Sequence, residues 1–150
     1  MDQPQQPVVA FIEDNADTAR LVKTLVELDG KVLVQTFSDM AGFNATVEDR
    51  SYAAVLMDMS EVLLARDKDE GDFNKLLDAL RVKNTPIVFI SEEVSDTKVG
   101  ITGQLGIELQ YKPRGREEWT NLVDSLLAKK KKLLEAASAS SKRGLEGEPH

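Results

Sequence analysis

The chain has 150 residues, no cysteine, and one histidine, His150, at its end. Disulfides, thiolate catalysis, Cys-ligated metals and buried-histidine chemistry are thereby excluded, and a formal charge of −7 argues against a nucleic-acid surface. No run approaches the roughly 18 apolar residues of a membrane span, and Met1 to Pro7 does not resemble a signal peptide, so a cytoplasmic single domain with no membrane contact is expected.

Val8 to Ile12 is an apolar run that stops at Glu13-Asp14. Leu21, Val22, Leu25 and Val26 then lie on one face of a helix over 17–28, which Asp29-Gly30 ends. Lys31 to Phe37 reads as a second strand, and Ser38 or Asp39 can cap a short helix carrying Met40, Phe43 and Val47. Tyr52 to Met57 is continuously apolar, as a strand buried on both faces must be, and stops at Asp58. No helical pattern starts at Met59, and Glu61 to Asp72 reads as a charged loop. Phe73, Leu76, Leu77 and Leu80 mark the next helix, and Thr85-Pro86 opens a strand over 87–90 that stops at Ser91.

Ser95 or Asp96 can cap a helix reaching Leu105, with Gly100 and Gly103 inside it. Each glycine costs about 1 kcal/mol against alanine, so that helix is marginal. Glu108 to Tyr111 is a fainter strand that stops at Lys112-Pro113. Trp119, Leu122, Val123, Leu126 and Leu127 define the last helix, which can run on to Ala137; residues 138–150 lack periodicity and read as disordered. Residues 129–150 hold six Lys/Arg and three Glu, a net of +3, which leaves −10 for residues 1–128.

This order is a (βα)5 chain. It demands an α/β fold, a doubly wound, five-stranded parallel sheet with right-handed crossovers. Parallel strands end on one edge, where open α/β sheets hold their ligands. Glu13, Asp14, Asp58, Ser91 and Lys112 therefore share that edge. Each has an ordinary alternative role as a cap, turn residue or solvated lysine. As a set, three carboxylates, a hydroxyl and an ammonium can hold a divalent cation and a phosphoryl group.

In this order and on these elements, the five positions resemble the receiver domain of bacterial response regulators. The likeness covers roughly residues 7–128, with 129–150 as a basic helical extension and tail. A flavodoxin-like fold is implied, as in stand-alone chemotaxis-type receivers. The resemblance implies that Asp58 accepts a phosphoryl group from a sensor histidine kinase or phosphotransfer protein. Glu13, Asp14, Asp58 and the backbone carbonyl of Ser60 would hold Mg2+. Ser91 would be the switch hydroxyl, Lys112 would bind the phosphoryl group, and the bond to Pro113 would be cis. Signalling would pass to a downstream protein by contact, with no turnover of an external substrate.

Three positions depart from the family pattern. Glu92 follows the switch hydroxyl where a small residue is usual. Leu109 holds the place of the aromatic switch residue, with Tyr111 beside the lysine. The segment after Asp58 is long, acidic and free of proline. These departures leave open a pseudo-receiver that binds partners without phosphorylation. A dehalogenase-type phosphatase would want an acid where Ser60 stands, and a flavodoxin-type phosphate loop would be repelled by Glu13-Asp14.

Overall fold

The computed structural model describes residues 6–146. Its strands are β1 (Val8–Ile12), β2 (Leu33–Phe37), β3 (Ala54–Asp58), β4 (Ile87–Ser91) and β5 (Glu108–Tyr111). Its helices are α1 (Ala16–Glu27), α2 (Met40–Asn44), α3 (Met59–Lys68), α4 (Glu70–Val82), α5 (Asp96–Leu105) and α6 (Arg116–Glu146). The strands form one parallel sheet in the order β2-β1-β3-β4-β5. Strand order reverses between β1 and β3, which places a crevice at their C-terminal ends.

Alternation along the strands divides the core into two layers. Ala10, Ile12, Val55, Met57 and Phe89 face α2, α3 and α4, where Phe43, Val62, Phe73 and Leu77 complete the packing. Val9, Phe11, Leu56, Val88 and Ile90 face α1 and α6, meeting Val22, Val26, Trp119 and Leu122. All five residues of β3 and of β4 are buried, as their unbroken apolar runs require. β5 is an edge strand with no buried residue, which explains its weak signal.

Three expectations are corrected. First, the segment after Asp58 is helix rather than loop: α3 begins at Met59 and α4 follows almost at once, capped by Asp69. The helix has no apolar stripe to read, because its buried residues are Met59, Glu61 and Val62, clustered in its first turn. It is held by its cap and by that first turn. Second, α6 passes Ala137 and continues to Glu146; residues 147–150 lie outside the described ones. Third, no cis peptide occurs among the described residues, so the Lys112–Pro113 bond is trans. Among the same residues no helix is long and apolar enough to cross a membrane.

Candidate functional site

Glu13 follows β1 directly, with its amide bonded to the carbonyl of Phe37 at 2.9 Å. Asp58 ends β3, Ser91 ends β4, and Lys112 follows β5 with its amide on the carbonyl of Ser91 at 2.8 Å. Sheet register thus delivers the four side chains to one edge. There they line a cavity of about 430 Å3, together with Asp14, Glu92, Glu93 and Lys98.

Lys112 is the centre of the site. Its Nζ lies 2.5 Å from Glu13 Oε1 and 3.1 Å from Asp58 Oδ2. Glu13 is buried, and burial pushes its carboxyl up to about 6, against the pull of the Lys112 ammonium and with repulsion from Asp58. Asp58 moves the other way. Its burial penalty is outweighed by hydrogen bonds from Ser60 and Lys112, so its carboxyl falls below the ordinary value. Burial lowers Lys112, but the two carboxylates more than reverse this and hold it charged.

Asp58 has a second task. Its Oδ1 accepts from Ser60 N at 2.9 Å and from Ser60 Oγ at 2.7 Å, and so caps α3. Ser60 therefore stands in the first helical turn. Its amide and hydroxyl are both engaged by Asp58, and it lines the same cavity. Asn15, rather than Glu13 or Asp14, caps α1, accepting from Thr18 N at 3.0 Å. Asp14 stays exposed on the rim.

Ser91 Oγ is turned toward its own loop, donating to the carbonyl of Glu93 at 2.5 Å and accepting from Lys98 Nζ at 2.8 Å. Lys98, whose Nζ also reaches the Glu93 carbonyl at 2.9 Å, is a pocket cation that the sequence reading missed. The signal available was its position three residues after Ser95, the cap of α5, in the helical turn nearest the strand edge. Glu92 is exposed but lines the same cavity. Tyr111, at the end of the edge strand, is 66 % exposed.

The cavity is lined by five carboxylates and two lysines. That acidic excess suits a divalent cation, and two carboxylates already converge on one cationic point, the Lys112 ammonium. Among the described residues no three acidic or imidazole side chains converge on one point. Oxygen donors of the kind Mg2+ takes are nevertheless present on the lining, in Glu13, Asp14, Asp58 and Ser60.

The fold is that of receiver domains. The receiver-domain protein of Methanospirillum hungatei JF-1, described as CheY-like, superposes with a TM-score of 0.68 at 14 % identity over 85 % of this chain and 98 % of its own. A response regulator of Thermotoga maritima gives 0.63 at 15 % identity, covering 83 % and 99 %. The chemotaxis response regulator CheY4 of Vibrio cholerae gives 0.65 at 17 % identity, covering 82 % and 100 %. No protein-family profile matches the chain, and no curated protein matches it.

Proposed function

We propose that this domain is a signalling receiver that takes a phosphoryl group on Asp58 and passes the signal on by protein contact. The observation that carries this reading is the Lys112–Asp58 pair at the end of the central strand, with Glu13 on the same ammonium. The anionic form of Asp58 is the one a nucleophile needs, and its hydrogen bonds favour that form. Asp58 Oδ2 would attack the phosphorus of a phosphohistidine on a sensor kinase or phosphotransfer protein. The P–N bond breaks, its electron pair stays on the donor imidazole, and an acyl phosphate forms.

The residues supply positioning and charge. Lys112 sits where phosphoryl oxygens would gather. Ser91 and Lys98 stand on the neighbouring strand end, and Ser91 needs only a side-chain rotation to leave Glu93. The N-termini of α1 and α3 border the same cavity and favour an anion there. Mg2+, held by Glu13, Asp14, Asp58 and the backbone carbonyl of Ser60, would neutralise charge on the transferred group and offset the acidic excess. The domain would be a switch, changing state once per transfer.

The test is incubation with acetyl phosphate and Mg2+, read by intact mass. Wild type should gain one phosphoryl group, chelation should abolish the gain, and Asp58→Asn should show none. Wild type that gains nothing while Mg2+ binds measurably would move the reading to a phosphorylation-independent interaction module.

A further inference from the structure

A second cavity, of about 340 Å3, opens between α2 and the α3–α4 pair. Its floor is apolar, with Met40, Phe73 and Leu76 buried and Leu64 on the wall at 62 % exposure. Its charge is one-sided: Asp39, Glu61, Asp69 and Asp72 against the single cation Lys68. Asp39 and Asp69 have local work as caps of α2 and α4. Glu61 has none. It is 5 % exposed, and among the described residues it makes no hydrogen bond or ion pair. Its carboxylate oxygens keep some contact with solvent, and with no cation on them a cation brought from outside would gain an ion pair there.

The same chain carries a matching surface at its other end. α6 starts beside the C-terminal end of β5 and runs back along the sheet. Lys130 Nζ bonds the carbonyl of Lys83 at 2.8 Å, at the end of α4 and just before β4 begins. The residues beyond it extend past the N-terminal edge of the sheet. Lys129, Lys131 and Lys132 are exposed there, and Leu134 is 48 % exposed. Lys131 and Leu134, three residues apart, share one helix face. That face joins a cation to an apolar side chain, which suits a groove with an apolar floor and four acids against one lysine. Because α6 is one continuous helix leaving the opposite end of the domain, it cannot turn back into its own groove.

We propose that the groove between α2 and α3–α4 receives the lysine-rich end of α6 from a second copy of the chain, with a lysine ammonium on Glu61 and Leu134 on the apolar floor. The contact is helix-in-groove and head-to-tail, so each copy offers both halves. The groove is small, which places the association in the weak class, with a Kd on the order of 100 µM at low salt. This inference does not depend on phosphoryl transfer at Asp58.

Sedimentation velocity of the full chain tests it, over a concentration series in low salt and again near 0.5 M salt. The weight-average mass should rise with concentration and return to the monomer value in high salt. Lys131→Glu combined with Lys132→Glu changes only exposed residues, so the fold is kept and association should be lost. Glu61→Gln should weaken association at least tenfold, with circular dichroism confirming the fold. A chain that stays monomeric to about 1 mM at low salt overturns the proposal. So does association that survives the lysine reversal, since the occupant of the groove would then come from elsewhere.

Discussion

Among the described residues, Lys112 is the one ammonium shared by two buried carboxylates, and replacing it with methionine isolates its charge while keeping most of its stem. Its side chain is 14 % exposed, against 3 % for Glu13 and 13 % for Asp58, so solvent screens the trio little. Removing one partner of a buried pair usually costs about 3–5 kcal/mol. Here Glu13 can escape by taking a proton. Its ordinary carboxyl value is 4.5 and burial already holds it at about 6. At pH 7, keeping such a carboxyl protonated costs at most about 3.4 kcal/mol, and at pH 5 about 1 kcal/mol. Lys112→Met should therefore cost roughly 2–3 kcal/mol at pH 7, or roughly 5–10 °C in Tm. The sign follows from the direction of the shift. A carboxyl raised in the folded state destabilises above its unfolded value, and that penalty fades as pH falls toward it. Urea unfolding of wild type and Lys112→Met at pH 7 and pH 5 should show the gap shrinking to about 1 kcal/mol at the lower pH. Adding Glu13→Gln to Lys112→Met should recover much of the loss at pH 7. A gap that is unchanged or wider at pH 5 would refute the account of an unpaired carboxylate.

Three further outcomes can be checked directly. Glu27 is partly buried, yet hydrogen bonds from Val34 N at 2.7 Å and Lys23 Nζ at 2.9 Å outweigh that burial and hold its carboxyl below the ordinary range. Its stabilisation is present above the unfolded value of 4.5 and lost as pH falls through the lower folded value. Glu27→Gln should thus cost about 1 kcal/mol at pH 7, after discounting for the half-exposed lysine, and almost nothing near pH 3 by chemical denaturation. Ser95 caps α5, accepting from Lys98 N at 3.2 Å, and Ser95→Ala should cost about 1 kcal/mol. Because α5 buries only Thr102, hydrogen exchange should show the lost protection confined to residues 96–105. Glu92→Ala removes a carboxylate from the cavity where we propose phosphoryl transfer, and both phosphorylation and hydrolysis of the phospho-form should speed severalfold, as measured by intact mass over time. Rates within about twofold of wild type would place Glu92 outside the field of the transferred group.

The sheet and the polar edge at its strand ends were legible in the residues because two simple periodicities decide them. A strand buried on both faces must be apolar throughout, and the ends of β1, β3 and β4 are marked by the first polar residue after such a run. Parallel pairing then brings Glu13, Asp58, Ser91 and Lys112 to one edge whatever the loops do. The apolar stripes of α1, α4 and the first half of α6 carry the same kind of signal.

What required the tertiary structure was everything set by short-range geometry between distant segments. Helix α3 has no stripe; it exists because Asp58 caps it and because Met59 and Val62 reach the core, so a charged sequence read as a loop. That helix gives Asp58 a second pair of bonds, from the amide and hydroxyl of Ser60. Lys98 reaches Ser91 only because the turn after β4 folds back on itself. Glu61, a charged residue in an acidic stretch, is buried because α2, α3 and α4 close around it. The sequence by itself determined which residues meet at the sheet edge, since strand alternation and parallel order are properties of the chain pattern. Only the tertiary structure decided which of them are paired, capped or left alone, because a hydrogen bond depends on a few tenths of an ångström that no sequence period encodes.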